Sequence, residues 1–473
     1  MRCVAGGVCY PLGHMATSAP AAESGARRLD DLGKLVALCK RRGFIFASAE
    51  IYGGFANTYD YGPLGTLLKN NVRDAWIRTN VQLRDDMELM DAALITSPKV
   101  WIASGHVAQF NDPLVQCKGT CKSRFRADQI ESLATCPKCG GPLDEPRMFN
   151  TMFKTQVGPV EDEENVAYLP PETAQGIFIN FANVATTMRR KLPFGIAQIR
   201  KSFRNEITPG NFVFRTLEFE QMEIEYFVEP GTDEQWFETW VAERERWYIE
   251  LGIRPENLRR FEHPVDKLSH YSKRTIDIEY NFPFGDGWGE LEGIANRSKG
   301  PDGTSWDLWQ HEQASGERLA LYDEDKRQHV RPGVIEPAAG LTRAALTFLI
   351  DAYEEQVLDQ AKNDVRTVLH LHPALAPYKV CVLPLQRNKP ELVRLARQLY
   401  TDLRRQWMIT FDSGSNIGKL YRRQDEIGTP YCVTVDFQSL DDQQVTIRDR
   451  DSMQQVRVPI GEVHGWLAAH LDF

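Results

Sequence analysis

Two arginine–carboxylate arrangements in this sequence carry the chemistry needed to hold a nucleotide. In the first, Phe203–Arg204–Asn205–Glu206 is followed by a loop and then by Arg215–Thr216–Leu217–Glu218–Phe219. An Arg and a Glu two residues apart on one strand share a face. A guanidinium so placed takes a phosphate oxygen bidentately, the carboxylate accepts from an amino group, and Phe219 offers a face to a base. Taken alone, the tetrapeptide is more readily explained as an ion pair on the surface of a hairpin. The second arrangement is Val334–Ile335–Glu336–Pro337–Ala338–Ala339–Gly340–Leu341–Thr342–Arg343, a strand passing through glycine into a helix. Arg343 in that first turn reaches the outer phosphates of a bent nucleotide, and Gly340 lets backbone approach a ligand closely. Most strand–Gly–helix junctions are only turns, so this signal is weak alone. A third segment, Pro171–Glu172–Thr173–Ala174–Gln175–Gly176, reads as a helix start with Glu172 in the turn that the helix dipole favours for an acid.

A fourth cluster is built for metal. Three residues separate Cys117 from Cys121, two separate Cys136 from Cys139, and Gly140–Gly141 follows. That spacing matches a four-cysteine zinc ribbon, with stray thiols as the alternative. Four thiolates leave no open coordination position, so the metal's role is structural. The pairs sit in a distinct insertion, residues 117–147, with Lys118, Lys122, Arg124 and Arg126 around them. These either touch nucleic acid or form an ordinary solvated face.

The elements that must position these groups follow from periodicity. Pro63 starts an amphipathic helix to about residue 80, because Leu64, Leu67, Leu68, Val72, Ala75 and Trp76 recur at helical spacing. A strand over 88–96 follows and ends at Pro98. Strands over 197–204 and 216–228, joined by the loop 207–214, form an antiparallel hairpin. A helix rich in Trp and Glu covers 233–252, strands cover 275–281 and 289–294, and 334–350 runs from strand into apolar helix. Two prolines in 366–378, Pro373 and Pro377, mark a linker. Beyond it the alternation of strands (380–385, 408–411, 431–437, 443–448) with helices (390–406, 416–426) implies a compact α/β domain.

Length and composition set only bounds. The chain has 473 residues, 42% hydrophobic and 26% charged, which at ~150 residues per domain suggests about three soluble domains. No apolar run reaches the ~18 residues of a membrane span, and the N-terminal stretch lacks the apolar core of a secretory signal. Residues 1–28, with Cys3, Cys9 and the alternative start Met15, are expected to be a disordered extension. Nine cysteines with four clustered favour a reducing compartment, so the expected location is cytoplasmic. Cys39, Cys381 and Cys432 read as core thiols. A net charge of −9 excludes wholesale basic wrapping of nucleic acid but not a local basic track.

Together the motifs resemble the class II aminoacyl-tRNA synthetases, and they do so from about residue 30 to the C-terminus. The segment 63–98 is similar to motif 1, Phe203–Arg204–Asn205–Glu206 with its return strand to motif 2, and Gly340 to Arg343 to motif 3. Within that class, Glu172–Thr173–Ala174–Gln175–Gly176, Phe219–Glu220–Gln221–Met222–Glu223 and Gly289–Glu290–Leu291–Glu292–Gly293–Ile294–Ala295–Asn296–Arg297 resemble the bacterial, homodimeric glycyl-tRNA synthetase family. The resemblance implies an α+β catalytic domain on an antiparallel sheet at 29–365, the linker at 366–378 and an anticodon-binding domain at 379–473. It implies ATP, glycine and tRNA(Gly) as ligands, no membrane, and a homodimer.

The resemblance also implies roles. Arg204 holds the α-phosphate, and Glu206 and Phe219 read adenine. Arg215 and Arg343 take the outer phosphates, with Asn205, Phe214, Leu291 and Gly340 completing the ATP site. Glu290, helped by Glu292, holds Mg²⁺. Glu172, Glu223 and Glu336 surround the glycine ammonium, Arg297 takes its carboxylate, and Phe219, Glu220, Gln221, Met222, Ala338 and Gly340 shape the pocket. Arg204, Glu206 and Arg343 form the catalytic set, acting by position and charge without a general base. Three positions depart from the family's usual residues: Ala338 replaces a common serine, Pro170 and Leu217 common arginines. His106 follows Ser104–Gly105 in a family-like stretch and is as readily structural as functional. Candidate anticodon contacts are Lys379, Arg387, Lys419, Arg422 and Arg423. Two rivals stay open: a class II synthetase for another amino acid, and a synthetase-like nucleic-acid-binding protein without catalysis.

Overall fold

The computed structural model describes residues 26–160, 162, 165–207 and 210–471. The expected N-terminal extension, with Cys3, Cys9 and Met15, lies almost wholly outside the described residues. Its last residues are a correction, since Ala26–Arg28 is a strand paired antiparallel with Glu354–Gln356.

The centre of the molecule is a seven-stranded sheet. In chain order its strands are β1 (Met87–Met90), β2 (Phe194–Phe203), β3 (Glu218–Val228), β4 (Leu258–Glu262), β5 (Arg274–Asn281), β6 (Trp288–Asn296) and β7 (Gly333–Gly340). The spatial order is β4-β5-β6-β7-β3-β2-β1, antiparallel throughout except for the parallel β1–β2 pair. The expected hairpin is the β2–β3 pair, running from Phe194↔Phe227 to Phe203↔Glu218. The strand expected over 88–96 is only four residues long, because the chain past Met90 leaves the sheet edge and its carbonyls at Ala92 and Ala93 accept from Arg200 instead.

One face of the sheet is covered by three helices: α1 (Pro63–Ile77), α2 (Asp233–Glu250) and α4 (Leu341–Ala352); α3 (Trp306–Ser315) lies on the other. Helix α1 begins at Pro63, whose missing N–H costs nothing there, and buries Leu64, Leu68, Val72, Ala75 and Trp76. Its α-helical turns stop at Ile77 and the next five residues widen into a π turn, short of the predicted end by three residues. Helix α2 buries Phe237, Trp240, Val241, Arg244, Trp247 and Tyr248, a stripe at helical spacing. Helix α4 is buried on every side. The opposite face of the sheet carries a smaller core of Phe178, Phe181, Phe194, Phe227, Leu308 and Val334, and above it the sheet is open.

The insertion is a three-stranded sheet of Asn111–Gln116, Arg124–Arg126 and Arg147–Asn150 that carries the four clustered cysteines. The linker expected at 366–378 is part strand: Asp364–Leu369 pairs with Tyr353–Asp359, since Val368 and Leu369 bury apolar side chains there. The C-terminal unit has a five-stranded sheet ordered Ile409–Phe411, Val380–Pro384, Tyr431–Val435, Gln444–Asp449, Gln455–Pro459. The first three strands are parallel and the last two antiparallel. Among the described residues, no helix is long and apolar enough to cross a membrane.

Candidate active site

On its open face the sheet frames a cavity of about 380 Å³. Its lining follows from the two-residue period of the strands. Phe219, Gln221 and Glu223 come from β3, Glu336, Ala338 and Gly340 from β7, Gly293 and Ala295 from β6, and Thr275 and Asp277 from β5. Glu172, Arg204, Glu206, Phe214, Arg215, Glu290 and Arg343 complete the walls. Thirteen of the predicted site residues therefore meet in one space, including Glu172, Arg204, Glu336 and Arg343, which are far apart in the chain.

The cavity is electrically two-ended. At one end stand Arg204, Arg215 and Arg343. The Arg204 Nε donates to the Pro171 carbonyl at 2.9 Å, and its guanidinium lies 5.4 Å from the Phe219 ring centre. Arg343 lies 4.5 Å from the Phe214 ring centre, donates to the Glu290 carbonyl at 2.9 Å, and approaches the Glu290 carboxylate at 3.3 Å. Arg343, with Arg204 and Arg215, holds the Glu290 carboxyl below its ordinary value.

At the other end are buried carboxyls. Burial would raise Glu172, but His106 and Arg297 outweigh it and hold that carboxyl ionised. His106 Nε2 lies 3.2 Å from Glu172, and its Nδ1 meets the Ser104 hydroxyl at 2.8 Å. Gln175 donates to both Glu172 and Asp307 at 2.9 Å, and His311 meets Gln175 at 2.9 Å. Burial, and then Glu172, push Glu223 up to about 7. The Thr173 hydroxyl donates to Glu223. His106, open between two roles in the sequence, thus orients an acid of the site.

Six predicted residues do not line the cavity. Glu220 and Met222 fall on the sheet's other face by strand alternation. Glu220 pairs with Lys69 and Arg73 of α1, and Met222 is core. Glu292 is separated from Glu290 by a β-bulge: Glu290 pairs with Glu279 and Glu292 with Ile278, leaving Leu291 without a partner on β5. The extra residue turns Glu290 to the cavity and Glu292 to α2, where Arg244 binds it at 2.6 and 3.2 Å. Leu291 is core, and Asn205 is tied by its backbone N–H to the Thr151 carbonyl at 2.8 Å. Arg297 is wholly buried behind the cavity. Asp307 takes its Nε and Nη2 at 2.8 Å each, Glu336 takes Nη1, and Tyr271 lies 3.8 Å beneath it. A guanidinium so engaged orients the acids and is not presented to a substrate carboxylate.

The sequence reading missed His263, Ser269, Tyr271, Thr275 and Asp277, which also line the cavity. His263 Nε2 meets Asp277 at 2.8 Å, and burial, then Glu290, raise Asp277 to about 6. Alternation along β5 could have flagged Thr275 and Asp277; His263 and Ser269 lie outside the strand and gave no signal.

In the insertion, the Sγ–Sγ separations are 3.5 Å for Cys117–Cys139, 3.5 Å for Cys121–Cys136 and 3.4 Å for Cys121–Cys139. A tetrahedron with ~2.3 Å zinc–sulfur bonds has edges of about 3.8 Å. The backbone N–H groups of Gly119 and Lys138 point at Cys117 and Cys136. The donor set fits zinc. Among the basic candidates of the C-terminal unit, the partly buried Lys379 donates to the Pro373, Ala374 and Ala376 carbonyls. Arg422 pairs with Asp364 and Arg423 with Asp412.

An antiparallel sheet whose open face joins a motif 2 hairpin to a motif 3 strand–helix is the core of a class II aminoacyl-tRNA synthetase. Accordingly, residues 153–376 match the family described as tRNA synthetase class II core domain (G, H, P, S and T), and residues 379–470 match the anticodon binding domain. The chain is 54% identical over 462 residues to a glycine–tRNA ligase of Streptomyces coelicolor, covering 93% of this chain and 99% of that protein. It is 53% identical over 466 residues to one of Thermobifida fusca (94% and 99% covered), and 53% over 465 residues to one of Bifidobacterium longum (93% of each). The chain belongs to the glycine–tRNA ligase family.

Proposed function

We propose that this chain is a glycine–tRNA ligase that activates glycine with ATP and passes the glycyl group to the 3′ end of tRNA(Gly). The observation that carries the reading is the single cavity with guanidinium groups at one end and carboxyls at the other. ATP bends across the cationic end, its α-phosphate on Arg204, its outer phosphates on Arg215 and Arg343, its adenine against Phe219 with Glu206 accepting from the amino group. Glycine lies with its ammonium among Glu172, Glu223 and Glu336, which is what a charged group out of water requires. Its carboxylate then faces the α-phosphorus for in-line attack, giving glycyl-adenylate and pyrophosphate. The terminal ribose hydroxyl of the tRNA accepts the glycyl group in the second step. Because every competing amino acid is larger, exclusion suffices and no editing site is required. Glu290 would hold Mg²⁺, which when bound would neutralise charge at the phosphates.

Glycine-dependent ATP–pyrophosphate exchange tests this, with alanine, serine and proline as controls. Exchange with glycine alone is expected, and Arg204→Ala is expected to lose ~10²-fold or more while staying folded. Exchange driven by another amino acid contradicts the specificity, and none at all favours a binding protein. The four-cysteine cluster is read as a structural zinc site, so elemental analysis of protein purified without chelator should give about one zinc per chain. Homodimerisation is supported by Ile51, Tyr52 and Phe55, 87, 88 and 83% exposed on the loop before α1. Sedimentation should return twice the chain mass. None of the described cysteines is in a disulfide, in keeping with a cytoplasmic location.

A further inference from the structure

Behind the ammonium end lies a carboxyl that the proposed chemistry does not use. Glu225 follows Glu223 by two residues on β3 and so shares its face, one step deeper than the cavity floor. It is fully buried, and neither carboxyl oxygen has a hydrogen-bond partner. One oxygen each from Glu223, Glu225 and Glu336 lies within 4.8 Å of the others. Arg297 and Asp307 face the same group, and Glu172, His106, Tyr271 and His311 stand around them.

The charge count is decisive. Glu172, Glu223, Glu225, Glu336 and Asp307 are five buried acids, set against the Arg297 guanidinium among them and that of Arg200, which faces Glu223 from β2. Carboxylates this close in a low-dielectric interior cannot all ionise, so protons stay in the cluster. Asp307 is bidentate on Arg297 and Glu172 is paired with His106, which leaves the retained protons to Glu223, Glu225 and Glu336. Burial pushes Glu225 well above the ordinary carboxylate range, and it does the same to Glu336 against the pull of Arg297.

We propose that Glu225 is a positioning residue that stores a proton beneath the ammonium subsite and yields it to solvent, by way of Glu223 or Glu336, when the substrate ammonium enters. The exchange balances: one positive charge arrives as the ammonium and one leaves as a proton, so the buried cluster keeps its net charge. Without that reserve, the empty site would hold an uncompensated anion. The inference rests on the reading that the glycine ammonium binds between Glu223 and Glu336.

Calorimetric titration of glycine in buffers of differing ionisation enthalpy reads the proton directly. Wild type at about pH 7 is expected to release about one proton per glycine, and its apparent affinity to fall up to ~tenfold for each pH unit lost within the range where that proton is released. Glu225→Gln, matching the shape of the protonated acid, is expected to keep the melting behaviour of wild type. It should release less than half as many protons and flatten the pH dependence of KM for glycine. No proton released by wild type, or an unchanged count in Glu225→Gln, overturns the proposal. Glu223→Gln separates the two levels: its loss of glycine binding upholds the ammonium subsite whatever Glu225 does. Unimpaired binding in that variant sinks the subsite itself.

Discussion

At the scale of single residues, the site works by setting unlike charges at fixed distances inside low dielectric. Glu172 stays ionised because His106 and Arg297 face it, whereas Glu223 is pushed to about 7 by burial and by Glu172 itself. A carboxyl whose folded pKa lies above its ordinary value of 4.5 is favoured by folding only when protonated. Its contribution to stability is full below that value and is lost as pH rises through about 7. The melting midpoint of the unliganded protein should therefore fall more between about pH 5 and 8 in wild type than in Glu223→Gln. Parallel curves would show that Glu223 does not carry the effect. The sequence exposed the acids themselves, since their motifs are contiguous. It did not expose Arg297 as a buried organiser, because its partner Asp307 lies on α3 and only the fold brings the two together.

At the scale of elements, strand alternation and one bulge sort residues that look equivalent in the chain. Within Phe219–Glu220–Gln221–Met222–Glu223 the odd positions reach the cavity and the even ones face α1 and the core. That split was legible from the period of two once the segment was read as a strand. Glu290 and Glu292 defied the same rule, because the bulge at Leu291 is set by pairing with β5 and has no local signature. The pair gives a sharp test. Glu290→Gln should fold normally and lose pyrophosphate exchange. Glu292→Gln should leave Arg244 buried without its anion and cost about 3–5 kcal/mol of stability, read by denaturant unfolding. The opposite pattern would show that the two faces are assigned wrongly.

At the scale of the whole molecule, a buried charge network joins the synthetase core to the C-terminal unit. Arg366, on the strand Asp364–Leu369, donates to Asp425 at 2.8 Å, and Arg448 donates to the same carboxylate at 2.9 and 3.2 Å. The prolines of 366–378 signalled a boundary, yet Arg366 lies on the core side of it and fixes one unit against the other. Asp425→Ala should strand two buried guanidinium groups and lower stability by about 3–5 kcal/mol. A loss under ~1 kcal/mol would mean that the network tightens nothing. Such a junction holds the anticodon-binding unit at a set distance from the cavity, as reading one end of a tRNA while charging the other requires.

In the proposed complex, ammonium and nucleotide occupy opposite ends of one cavity. A structure with a non-hydrolysable glycyl-adenylate analogue tests this most directly. The amine is predicted between Glu223 and Glu336, the phosphate mimic on Arg204 and the adenine against Phe219. An analogue bound with its amine toward Arg343, or outside the space framed by β3 and β7, would contradict the assignment.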